Sequence, residues 1–206
     1  MNDKESYLNF KLYSVIQERN LEKVKLLLKS GADVNEKNNS QLAPIHLAVW
    51  QGDLRFLKIL VEHGADLDAQ DLQGFTALHL AVLNNDLKAA DYLISNGASI
   101  SINDYKGFSP LLHSFDRNSV EMFKFLVTHA NQETKDKECI LIMGGNSLLH
   151  YAVRRIASEY VQILINAGAS LHLKNDHGNN PIETALSYNV TFLKDLGMFK
   201  MISFLK

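Results

Sequence analysis

Apolar and polar residues alternate in a recurring order along this chain. In "LAPIHLAVWQGDLRFLKILVEHGADL", residues 42–67, Ile45, Ala48 and Val49 recur at helical spacing before the run breaks at "QG". A second apolar set, Leu54, Leu57, Ile59, Leu60 and Val61, has the breadth of a core-facing helical stripe. The pattern predicts two short helices joined by a tight turn at Gly52. Gly64 stands just past the second helix, where a positive φ suits glycine. The next stretch, "DLDAQDLQGF", has no helical period and carries the turn-like "DLQG", so it predicts an extended hairpin. The local unit is helix, turn, helix, hairpin.

The unit is copied. "FTALHLAVLNNDLKAADYLISNGASI", residues 75–100, repeats it, with His46 and His79 separated by 33 residues. The same spacing of 33 relates Gly31 to Gly64 to Gly97, Gly74 to Gly107, and Gly145 to Gly178. "TALH", "SPLL", "SLLH" and "NPIE" occupy one phase of the repeat. In "KGFSPLLHSF", Ser109 is placed to cap a helix and Pro110 to fill its first position, where no N–H bond is lost. One helix pair alone leaves an apolar face uncovered, so a fixed period of this kind signals stacking.

By its period and its degraded T-P-L-H signature, the sequence resembles the ankyrin-repeat family from about Asn9 to the C-terminus. The resemblance implies an all-α ankyrin-repeat solenoid of about six stacked helix-turn-helix units joined by β-hairpin-like loops. Residues 1–37 form an N-terminal cap unit, which keeps "LEKVKLLLKSGADVN" but lacks the signature. The other units span 38–70, 71–103, 104–141, 142–174 and 175–206, within a single domain. Two departures stand out. Leu112 and His150 share a phase but lie 38 apart, which places five extra residues in "NQETKDKECILIMGG". The last unit carries either an eight-residue insertion over Asn189 to Leu196 or one longer second helix. The sequence stops at Lys206, directly after that helix, which fits either a truncated chain or a final helix covered by a partner.

Composition narrows the function. Hydrophobic residues make up 46% and charged residues 21%, the balance of a folded protein rather than a disordered one. A net charge of -2 argues against a general nucleic-acid or anionic-membrane binder. The lone Cys139 forms no internal disulfide. The opening "MNDKESYLNFKLYS" has no signal-peptide character, and no apolar run is long enough to span a bilayer. These features predict a cytoplasmic location, with the nucleus or translocation into a host cell as alternatives.

The chemistry of catalysis is not visible. His46, His79 and His150 share one repeat phase, so stacking sets them about a repeat apart, too far to share one metal ion. Their expected role is bonding to backbone near the hairpin base. His63 and His129 precede helix ends, where a cation suits the dipole, and His172 and His177 fall in a hairpin. "MGGNS" lacks the lysine of a phosphate loop. No catalytic, cofactor-binding or metal-binding residue is predicted, no cofactor is implied, and the chain reads as a non-enzyme.

The candidate site lies in positions that do not repeat. The repeat phase assigns to a concave face Leu42, Trp50 and Gln51; Leu72, Phe75, Leu83 and Asn84; and Tyr105, Phe108, Asp116 and Arg117. It continues with Met143, Asn146, Arg154 and Arg155, and ends with Asp176, His177, Asn179, Ser187 and Tyr188. From Leu42 to Phe108 these are largely apolar and aromatic, which marks a contact surface unless they pack sideways on adjacent hairpins. Arg117, Arg154 and Arg155 add a basic end, so the expected partner is a protein with an apolar stretch followed by acidic residues. The apolar loop Glu138 to Gly145 is a second candidate. The resemblance also implies that Asn35, in a family-like hairpin, is a possible asparaginyl-hydroxylation site. The predicted function is a non-catalytic protein-interaction module, monomeric unless its C-terminal helix is paired. Alternatives are a regulator like the inhibitor-of-NF-kappa-B branch, suggested by "KGFSPLLH" and "LHLKNDHGNNPIETA", a pathogen or symbiont effector, or the targeting domain of a longer enzyme or scaffold.

Overall fold

A computed structural model describes residues 3–130 and 145–188. Among the described residues there are eleven helices and no strand. They are α1 (Asp3–Gln17), α2 (Leu21–Lys29), α3 (Pro44–Trp50), α4 (Leu54–Glu62), α5 (Ala77–Leu83), α6 (Leu87–Ser95), α7 (Pro110–Asp116), α8 (Val120–His129), α9 (Leu148–Arg154), α10 (Ser158–Asn166) and α11 (Pro181–Tyr188). The chain divides into two compact units, Met1–His113 and Ser114–Lys206. The inserted loop over 131–144 and the insertion or longer helix expected over 189–196 lie outside the described residues.

In the first unit α1 packs on α2 and on α3, and α3 packs on both α4 and α5. The pattern of buried residues follows the sequence periodicity. Ile45, Ala48 and Val49 on α3 and Leu78, Ala81 and Val82 on α5 are buried. Phe56, Leu57 and Leu60 on α4 supply the second helix of the pair. Ala48 and Ala81 share a phase, and so small a side chain lets neighbouring first helices approach closely. In the second unit α8 packs against α10, and α9 packs against α10 and α11. There Phe115, Phe123 and Tyr160 form an aromatic group with ring centroids 4.5 to 5.9 Å apart.

Each helix pair turns on one residue with a left-handed backbone. Arg19, Gly52, Asn85, Asn118 and Ile156 occupy this position, with φ between 54° and 67°. Side chains cap several of the first helices, Ser109 as the sequence predicts. Thr76 and Ser147 accept the backbone N–H of His79 and His150, and Ser109 accepts that of Leu112 at 3.1 Å. In α11 the cap is Asn180, and Glu183 takes the place of the histidine by accepting the Asn180 N–H at 2.7 Å.

Candidate functional site

The loops between helix pairs are built on one asparagine or aspartate each. Asn38, Asp71, Asp104 and Asn175 accept, through Oδ1, the backbone N–H groups two and four residues on. Their own N–H groups donate to the carbonyls of Leu42, Phe75, Phe108 and Asn179. The carboxylate or amide holds a tight loop that no strand ladder supports. Asp104 is buried, which raises its pKa, but bonds from Phe108, His113 and Lys106 outweigh this and hold it below the usual carboxylate range.

Three histidines lock these loops to the helices. Nδ1 of His46 accepts the Ala43 N–H at 3.0 Å, so Nε2 carries the proton and donates to the carbonyls of Ala69 and Phe75, both at 3.0 Å. His79 bonds Thr76 and the Phe108 carbonyl in the same way, and His150 bonds Ser147 and the Asn179 carbonyl. Burial pushes all three imidazoles below their ordinary pKa, and His79 reaches about 4 despite its bond to Phe108. With both nitrogens committed to backbone, these rings are structural. Among the described residues no group of three His, Cys, Asp or Glu could hold a metal ion.

Side chains also bridge one loop to the next within the first unit. Lys37 Nζ donates to the Gln70 carbonyl at 2.8 Å, and Gln70 Nε2 donates to the Asn103 carbonyl at 3.0 Å. The Asn35 amide donates to the Gly64 carbonyl and accepts the Asp66 N–H at 2.7 Å, while Asp68 accepts the Ser99 N–H at 2.9 Å. Asn35 is exposed, with its side-chain amide bonded to the following loop through both its nitrogen and its oxygen. Lys37, Gln70 and Asn103 stand 33 residues apart in the sequence, with no local signal of the bridge they form.

The candidate contact residues fall into distinct environments. Trp50, at the end of α3, is 66% exposed, Leu72 54% and Tyr105 70%. Leu72 and Tyr105 line one open depression of about 320 Å³ together with Lys37, Gln41, Asp66, Asp68, Ala69, Gln70 and Asp71. Phe75 and Phe108 are half-buried and face the His113 ring at 5.5 Å, and His113 Nε2 donates to Asp104 Oδ2 at 2.9 Å. Leu42 and Leu83 are half-buried, and the Leu42 carbonyl accepts the Tyr13 hydroxyl. Gln51 and Asn84 bond backward through their amides, to the carbonyls of Ile16 and Val49.

In the second unit Arg117 and Arg154 are exposed. Arg155 lies 3.9 Å from Asp116 and over the Tyr151 ring, and the Tyr151 hydroxyl donates to the same carboxylate at 2.9 Å. Asn146 is buried and accepts from Asn175 at 2.9 Å, whereas Asp176 and His177 are exposed at the loop tip. Met143 and most of the Glu138–Gly145 loop lie outside the described residues, as does the side chain of Tyr188. The structure thus brings Leu72 and Tyr105 together at one depression and turns Phe75 and Phe108 toward the half-buried His113.

No described helix is long and apolar enough to cross a membrane. No curated protein matches the chain in sequence. A family model for ankyrin repeats in three copies matches residues 12–104, and one for a single ankyrin repeat matches residues 144–176. Ankyrin repeats serve in general as protein-interaction modules. With more than half of its length matched and eleven helices along the described residues, the chain belongs to the ankyrin-repeat family.

Proposed function

We propose that the chain is a non-catalytic binding module that captures a protein partner on the loop and first-helix surface of its first unit. The observation that carries this reading is the exposure of Trp50, Leu72 and Tyr105, each more than half open to solvent. Large apolar side chains left open in this way disfavour solubility unless a partner covers them, and Trp and Tyr are favoured anchors at interfaces. None of the three belongs to the core, to which Ile45, Leu57, Leu60 and Leu78 contribute. In the second unit Asp116 opposes the charge of Arg155, and Arg117 and Arg154 are exposed. An acidic partner surface would be met there by Arg117 and Arg154.

The test compares the wild type with Trp50→Ala/Leu72→Ala/Tyr105→Ala, matched for helicity by circular dichroism. A partner captured by the wild type is identified, purified and titrated against both proteins. The expected result is a loss of at least tenfold in affinity, since exposed-to-buried anchors each contribute on the order of 1–2 kcal/mol. Equal affinity in both proteins refutes the assignment of this surface.

A further inference from the structure

Successive loops in the first unit do not dock on one another uniformly. Tyr105 lies directly on the preceding loop, its N–H donating to the Gln73 carbonyl at 3.0 Å. That approach requires a glycine beneath it. A Cβ on Gly74 would meet the Tyr105 backbone nitrogen at 2.6 Å and its ring at 2.8 Å. One repeat earlier the glycine is replaced by Gln41, which keeps the left-handed backbone at φ 55° but carries a side chain. Its N–H bonds the Asn38 carbonyl at 2.8 Å just as Gly74 bonds Asp71 at 3.0 Å, so the two loops are built alike. The difference is the extra Cβ. Leu72, the counterpart of Tyr105, forms no backbone bond to Ser40, the counterpart of Gln73. The depression of about 320 Å³ opens at this place, lined by both Gln41 and Leu72.

We propose that this slot receives an arginine side chain from an extended segment of the protein partner, with a neighbouring apolar residue of that segment against Leu72. The inference rests on the binding reading above and assigns it a ligand chemistry. Asp66 and Asp68 present carboxylates to the slot, and the buried Asp71, its Oδ1 held by the Gln73 and Phe75 N–H groups, adds negative charge behind them; against these stands one cation, Lys37, whose ammonium already donates to the Gln70 carbonyl. A guanidinium matches this lining better than an ammonium. It donates in a planar fork to carboxylates, and it stacks on an aromatic face, here Tyr105, which is 70% exposed. The unmade Leu72 N–H bond supplies a backbone donor for the carbonyl of an extended segment.

The experiment uses the full chain, isotopically labelled, and two probes: Ac-Ala-Leu-Arg-Leu-Ala-NH2 and the same peptide with Glu in place of Arg. The arginine peptide is expected to shift the amide resonances of Gln70, Leu72 and Tyr105 with saturation in the millimolar range. The glutamate peptide should bind at least tenfold more weakly. Gln41→Gly lets Leu72 settle on the first loop and close the slot, so it should weaken the arginine peptide at least tenfold while raising the thermal midpoint. Asp66→Asn/Asp68→Asn keeps the backbone acceptors and removes two charges, with a loss of similar size. Equal binding of the two peptides, or unchanged binding by Gln41→Gly, overturns the proposal. A protein partner lost in the Trp50/Leu72/Tyr105 variant but retained by Gln41→Gly overturns the slot alone, and one retained by both variants overturns the interaction surface as well.

Discussion

Replacing Ile156 should stabilise this protein. The residue sits in the turn between α9 and α10 with φ 55°, in the left-handed region that β-branched side chains rarely adopt. The same phase holds Gly52 and two asparagines, Asn85 and Asn118, all suited to that conformation. The left-handed region costs an ordinary L-residue roughly 1–2 kcal/mol, and branching at Cβ places isoleucine at the upper end. Ile156 recovers little of this by burial, being 58% exposed. Full burial of such a side chain contributes about 1.5–3 kcal/mol, so its partial cover offsets on the order of 1 kcal/mol. Ile156→Asn is therefore expected to gain roughly 1 kcal/mol. In urea this moves the midpoint upward by about 0.5 M. Far-UV circular dichroism is the suitable readout, because the single tryptophan, Trp50, lies in the other unit. Gly52→Ile is the control, since a Cβ added at Gly52 meets nothing within 4 Å and only the backbone strain changes. It should lose roughly 2 kcal/mol. If Gly52→Ile is neutral, the strain argument fails. If it destabilises while Ile156→Asn does too, the covered part of Ile156 outweighs its backbone cost.

Other perturbations test the loops and their locks. Stability should fall as pH is lowered from about 6.5 toward 4: the unfolded His79 takes up a proton near its ordinary pKa, the folded ring only near 4, and protonation thus favours the unfolded chain. The loss from His79 is on the order of 3 kcal/mol across that window, with His46 and His150 adding in the same direction, and a His79→Gln variant should show a flatter pH profile in urea titrations. Gly74→Ala should lose roughly 2 kcal/mol or more, because φ 81° is strained for alanine and the Tyr105 backbone must move; equal urea midpoints would contradict the docking of these loops. Tyr13→Phe should lose about 1 kcal/mol, since it strips the carbonyls of Glu36 and Leu42 of a donor in the cap unit, and the thermal midpoint reports it.

What the sequence revealed and what it concealed have separate physical origins. The helix pairs were legible because each must bury a stripe of fixed period, and Ile45, Leu78 and Leu149 could not occupy other positions without exposing it. The structural role of the histidines was legible too, because imidazoles set one repeat apart or more, as His46, His79 and His150 are, cannot converge on one ion. The fate of the aromatic residues was not. Phe75 and Phe108 share a phase one step past the loop glycine, and nothing local distinguishes them from exposed anchors. Their partial burial depends on His113, which stands beside Leu112, the residue in the fourth unit that replaces the locking histidine. The imidazole displaced by one position no longer bonds a loop carbonyl; it turns to Asp104 and gathers two phenylalanine rings around it. Leu72 and Tyr105 stay outside because their phase points them past the loop tip. Gln41 shows the same logic in reverse, since one residue where the repeat asks for glycine keeps Leu72 off the preceding loop and leaves a slot. In an array of like units, single departures from the repeat decide which surfaces close and which stay open, and they act through neighbours 29 to 33 residues away. A reading confined to local windows finds the repeat and passes over its exceptions.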